Sequence, residues 1–131
     1  MNPTTHPRGG FFTIAAWQRA DDLVVEIYQT TKGFPTDQRY TLTSQMQRAA
    51  VSVAANIAEG SGRQTLRDYL RFLYIAKGSL TEVEYYIHLS HRLGYLSADS
   101  ETQLSRLQRM TAGALNGFIA FKENQLQQQR H

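Results

Sequence analysis

Arg63, Arg67 and Arg71 recur every four residues, and Tyr74 follows three positions later. On a helix each step of four rises about 6 Å, so the three guanidinium groups make a short basic row. A guanidinium fork can hold phosphate oxygens, and a tyrosine ring beside it can stack on a base. The chemistry this row could perform is contact with RNA or DNA, with Arg48 as a further basic candidate. The competing reading is an ordinary solvated face, partly neutralised by Asp68, Glu101 and Glu123. A second constellation is the stripe of Gln45, Arg48, Ser52, Asn56, Glu59 and Arg63, which falls within an arc of roughly 80° on a helix. Apart from Gln47, the rest of that helix is Ala, Val, Ile and Met until the glycines begin. A helix so apolar all round expects neighbours on most sides. Gln45, Ser52, Asn56 and Glu59 then read as an internal or interface polar network, with Glu59 satisfied by Arg48, Asn56 or Arg63.

Other chemistries find less material, and no catalytic residue is assigned. Acid–base catalysis needs two carboxylates in contrasting environments, whereas Glu82 and Glu84 are two apart and point in different directions. Gly60-Ser61-Gly62 lacks the Gly-Lys-Ser/Thr of a phosphate loop, and no strand precedes it. A di-iron centre needs Glu-x-x-His on each of two helices and two further carboxylates. Glu84 and His88 are spaced Glu-x-x-x-His and occur once, and His91 adds no clear third partner. No metal, cofactor or enzymatic activity is expected. The absence of cysteine removes disulfides, thiolate metal sites and thiol nucleophiles, and is compatible with a cytoplasmic location. The formal net charge of +3 is a mild bias toward acidic partners.

The elements that position these residues are legible in the periodicity. The 131 residues suit one domain with one core, and 41% are apolar. All three prolines precede Thr36. A first helix is expected over 14–32, with Trp17, Ala20, Val24, Ile27 and Thr31 inward, closed by Gly33 and Phe34-Pro35. A second begins at Ser44, where Ser44 and Gln47 fit a capping box, and ends at Gly60 or Gly62. A third begins after Thr65, carries Tyr69, Leu73, Ala76, Leu80, Val83, Ile87 and Ser90 inward, and stops at Gly94. A fourth starts near Ser97, with Leu104, Leu107, Thr111, Ala114, Phe118 and Phe121 inward. Residues 1–13 read as a flexible leader, 14–124 as the bundle and 125–131 as a polar tail that frays. No apolar run reaches the roughly 20 residues that span a bilayer.

Four amphipathic segments with short connections predict an all-α, antiparallel up-down-up-down four-helix bundle. The second helix has too little polar surface for a lone bundle. On the third, Tyr74 and Tyr85 lie outward, with Ile75 and Tyr86 at the edge. Surplus apolar surface of this kind meets another protein, so a homo-oligomer is expected. Gly78-Ser79 and the Gly113/Gly117 pair predict close helix packing, since a glycine inside a helix is otherwise costly.

The motifs also carry a family resemblance. Phe34-Pro35 with Tyr40, Leu42 and Gln45 comes first. Arg48-Ala-Ala-Val-Ser-Val53, Asn56-Ile-Ala-Glu-Gly60 and Arg63 follow. Phe72-Leu-x-Ile-Ala-x-Gly-Ser-Leu80 with Glu82 and Glu84, then Leu93-Gly-Tyr95, complete the set. In this order the chain, from Trp17 to Phe121, resembles the bacterial four-helix-bundle proteins encoded in intervening sequences of large-subunit ribosomal RNA genes. The resemblance implies a homopentamer and carries over no catalytic residues. A related branch, the accessory proteins of diversity-generating retroelements, implies nucleic-acid contact and a reverse transcriptase as a partner. Gln47 stands where the family often has a basic residue, which thins the basic surface, and Gln38 where it often has an acid. The function expected is that of an assembly or adaptor protein that touches RNA or DNA. The alternative is a protein-binding scaffold without nucleic-acid contact.

Overall fold

The structure, a computed structural model, describes residues 9–129; the expected leader's residues 1–8 and the tail's 130 and 131 lie outside them. The described residues contain four long helices and no strand: α1 (Ala15–Thr31), α2 (Ser44–Ser61), α3 (Leu66–Arg92) and α4 (Ala98–Gln129). Each helix packs on the next, and α4 closes back onto α1. The contacts fix antiparallel directions. Ser90 meets Met46 near one end of the α2–α3 pair, Ser52 meets Ser79 midway, and Gly60 lies against Tyr69 and Phe72 at the other. Likewise Gln108 reaches the Leu80 carbonyl, while Phe118 meets Tyr69. Leu23, Ile27, Met46, Ile57, Leu73, Leu104 and Leu115 are fully buried between the four helices. Burying side chains of this size contributes about 1.5–3 kcal/mol each.

The stops and starts have local causes. Thr65 Oγ1 accepts the Asp68 backbone N–H at 3.1 Å and caps α3. At the other end Gly94 adopts φ +82°, the Tyr95 N–H bonds the Ser90 carbonyl at 2.9 Å and the Gly94 N–H bonds that of His91 at 3.0 Å. That is a Schellman closure, and it needs the left-handed residue that glycine supplies. Ser97 Oγ accepts the Ser100 N–H at 3.1 Å and caps α4. All seven inward residues expected on α3 are buried.

Four expectations need correction. Ser44 and Gln47 form no capping box: a π-helical turn, Arg39–Thr43, runs straight into α2, so Thr43 and Ser44 already have helical dihedrals. The Gln47 amide instead donates to Thr31 Oγ1 at 3.0 Å and ties α2 to α1. The buried stripe of α4 is Leu104, Gln108, Thr111, Leu115 and Ile119, and Phe121 is 56% exposed. The expected stripe assumed a seven-residue repeat, from which a straight helix drifts by about 20° per heptad. Over the length of α4 that drift turns Phe121 out. Gly78, Gly113 and Gly117 make no close approach within the chain, because a Cβ added at any of them meets nothing within 4 Å. The close approach belongs to Gly60. Finally, residues 10–13 form a 3-10 turn in which Phe11 and Phe12 each pack against Trp17 with ring centroids 5.1 Å apart. At the other end α4 continues to Gln129, past the expected end of the bundle, with Leu126 packed on the core.

Candidate nucleic-acid interface and the polar seam

The turn from α2 into α3 brings Glu59, Arg63, Asp68 and Arg71 together. Arg63 Nη2 donates to Glu59 Oε1 at 2.7 Å, and its Nε lies 3.7 Å from Asp68 Oδ2. Arg71 Nε donates to Asp68 Oδ1 at 3.0 Å. Both guanidinium groups also lie over the Phe72 ring, with Cζ 4.3 Å and 4.5 Å from its centroid. Two cations are thus matched by two carboxylates around one aromatic ring. Cation–π contacts at exposed sites contribute about 0.5–1 kcal/mol each, and exposed ion pairs about 0–1 kcal/mol. The cluster orders the turn more than it stabilises the fold. Phe72 as its platform carried no chemical signal in the sequence, where it reads as one more apolar residue beside the inward stripe.

Tyr74 does not continue the basic row as a free ring. Its hydroxyl donates to Glu123 Oε2 on α4 at 2.6 Å. That bond foremost, then burial and the carboxylate's charge, hold its phenol above the ordinary value of 10.0. A phenol raised in the folded state stabilises fully below its unfolded pKa, and the contribution is lost as pH rises through the folded one. Glu123→Gln is therefore expected to move the Tyr74 titration down toward the ordinary value, read from the ring-carbon shifts by NMR; an unmoved titration would disprove the link. Arg67 and Arg48 are exposed and enter no ion pair among the described residues. Of the five nucleic-acid candidates, these two alone present an uncompensated charge.

The Gln45, Ser52, Asn56 and Glu59 stripe divides into three parts. Ser52 Oγ and Ser79 Oγ are 2.8 Å apart and join α2 to α3. Asn56 Nδ2 donates back to the Ser52 carbonyl at 2.8 Å and to its Oγ at 3.0 Å. This half-buried polar seam lies within the bundle. Glu59 belongs to the arginine cluster, and Gln45 and Arg48 are exposed. On α3, His88 lies beside Tyr85, and His91 Nδ1 is 3.1 Å from the Leu96 carbonyl oxygen. Among the described residues no three His, Cys, Asp or Glu side chains are placed to hold a metal ion, and no helix is long and apolar enough to cross a membrane.

The helices and this site define an all-α four-helix protein in which Arg63 and Arg71 are paired with Glu59 and Asp68 at the α2–α3 turn. Residues 13–117 match the model of the 23S rRNA-intervening sequence proteins, and the chain belongs to that family. A similar crystal structure is that of a protein with unknown function from the S23 ribosomal protein family of Bacteroides thetaiotaomicron. It is 23% identical, with a TM-score of 0.74, over 80% of this chain and 98% of that one. The likeness extends to the fold. No curated protein matches the chain.

Proposed function

We propose that the protein is a non-enzymatic, self-assembling helical bundle that serves as an assembly or adaptor protein and docks through apolar helix faces. The observation that carries this reading is the outer face of α1 and α2. Val25 is 52% exposed, Tyr28 43% and Val51 40%, and Ala55 is exposed beside them on the helix. Running antiparallel from the Thr31–Gln47 bond, Tyr28 and Val25 come level with the turn that carries Val51 and Ala55. Covering such a face against a second copy supplies a driving force that water denies it. The pentamer implied by the resemblance is the assembly we expect.

Nucleic-acid contact is the second reading, and one observation favours it: Arg67 is exposed and unpaired, and an assembly would repeat it by symmetry. Arg63 and Arg71 are matched by Glu59 and Asp68, so each copy offers two free cations at most among the five candidates. Each neutralised phosphate adds roughly −0.9 to the slope of log affinity against log salt. Light scattering across micromolar concentrations, with fluorescence anisotropy on duplex RNA at several salt concentrations, separates the readings. The scaffold reading expects a mass above the monomer and no RNA binding near physiological salt. A monomeric mass rejects it. Binding with a slope steeper than about −3, lost in Arg67→Glu, puts the nucleic-acid reading in its place.

A further inference from the structure

A half-open cavity of about 400 Å³ lies between the end of α1, the segment after it and the start of α2. Its size is that of a small-ligand pocket. Three features of its lining point to a ligand.

The first is charge. Lys32 and Arg39 both line the cavity, and no acidic side chain does among the described residues. Neither cation enters an ion pair among those residues, although Lys32 Nζ donates to Gln29 Oε1 at 3.2 Å. The second is an aromatic wall. Tyr28 and Phe34 line the same space, and Phe34 is held in place by Tyr95 with ring centroids 5.7 Å apart.

The third is a hydroxyl without a partner. Threonines inside a helix ordinarily bond the carbonyl four residues back. Thr31, Thr81 and Thr111 do so, to Ile27, Lys77 and Leu107, at 2.8, 3.2 and 2.8 Å. Thr43 closes the π-helical turn, where the backbone register is shifted by one residue. Its Oγ1 is buried, makes no hydrogen bond, and belongs to a residue that lines the cavity. A buried hydroxyl left unpaired is costly, and π-turns recur at functional sites.

We infer that this cavity binds a small organic anion, with a phosphate or carboxylate head between Lys32 and Arg39 and a flat apolar body against Tyr28 and Phe34, and with the Thr43 hydroxyl turning from its buried position to donate to the head. The site shares Tyr28 with the docking face proposed above and no other of its residues, and amide shifts on ligand addition read it separately from the mass that tests that face. The test uses the full chain, labelled with nitrogen-15, and four probes. Adenosine monophosphate and benzoate carry a head and a flat body. Inorganic phosphate has the head alone and adenosine the body alone. Adenosine monophosphate or benzoate is expected to shift amides within residues 28–47 and to bind about tenfold or more tighter than either partial probe. Which of the two binds tighter distinguishes a phosphate head from a carboxylate. Replacing the exposed Lys32 and Arg39 together by alanine is expected to weaken binding by about tenfold or more with the circular dichroism spectrum unchanged. Thr43→Val is expected to raise the melting temperature of the free protein and to weaken binding. The inference is overturned if none of the probes shifts these amides. It is also overturned if binding survives in the folded Lys32/Arg39 double variant, or if Thr43→Val lowers the melting temperature.

Discussion

Glutamate at Val25 and Val51 together is expected to convert the assembled protein to monomers while its helix content stays unchanged. Both positions are half exposed within the chain, so the single bundle tolerates the charges. In the proposed assembly the same positions are covered. Losing two apolar contacts forfeits about 1.5–3 kcal/mol for each fully buried side chain. Leaving carboxylates unpaired inside an interface costs several kcal/mol more. The sum corresponds to roughly a thousandfold or more in dissociation constant, far beyond what micromolar protein can offset. Light scattering before and after the change reads this directly. An unchanged mass with both glutamates in place would remove the α1–α2 face from the assembly and with it the observation on which the proposed function rests.

Gly60→Val is expected to cost about 2–3 kcal/mol and to lower the melting temperature by on the order of ten degrees. Even the first added carbon would lie 2.9 Å from Tyr69 Cδ1 and 3.1 Å from Phe72 Cβ. The tyrosine ring can turn, but Phe72 Cβ moves only with its backbone, so α3 must back away from α2. The displacement would also disturb the Phe72 platform under Arg63 and Arg71. Gly78→Ala is the matched control. Its Cβ meets nothing within 4 Å, so the gain in helix propensity is expected to stabilise the chain by about 0.5–1 kcal/mol. Thermal unfolding followed by circular dichroism measures both. Equal effects at the two glycines would show that the close approach at Gly60 does not control packing.

The contrast between these glycines shows where sequence reading stops. In the chain Gly78, Gly113 and Gly117 interrupt a helical pattern and read as close-packing positions, while Gly60 reads as a helix end; in the structure the close approach is at Gly60. Whether a Cβ has room depends on the partner helix, which can be known only after four helices have packed. The same holds for the charges. The i,i+4 spacing of Arg63, Arg67 and Arg71 reads as one row on α3, but Arg63 lies in the turn before Leu66. The pairs Arg63–Glu59 and Arg71–Asp68 are local in spacing, whereas the Phe72 ring that both arginines share is a property of the α2–α3 turn. Tyr74 meets Glu123 across 49 positions of sequence, a distance no local pattern encodes.

What the sequence determined by itself was local and periodic. Apolar residues at 3.6-residue spacing set the number and order of the helices and the buried face of α3. Thr65, Ser97 and Gly94 marked helix ends because capping acts within one turn of the chain. Its motifs also carried the family, which spans residues 13–117. The tertiary structure decided what depends on several segments at once. It tilted the buried stripe of α4 away from Phe121, and divided the polar stripe into a seam through Ser52 and Asn56 and a charge cluster at Glu59. It set Arg63 and Arg71 over one Phe72 ring and brought Arg63 to Asp68, and left Arg67 free. It also set a π-helical turn before α2, which left Thr43 unpaired beside Lys32 and Arg39. The physical reason is range: helix propensity and capping act over about four residues, whereas pairing and packing join groups that only the fold brings together.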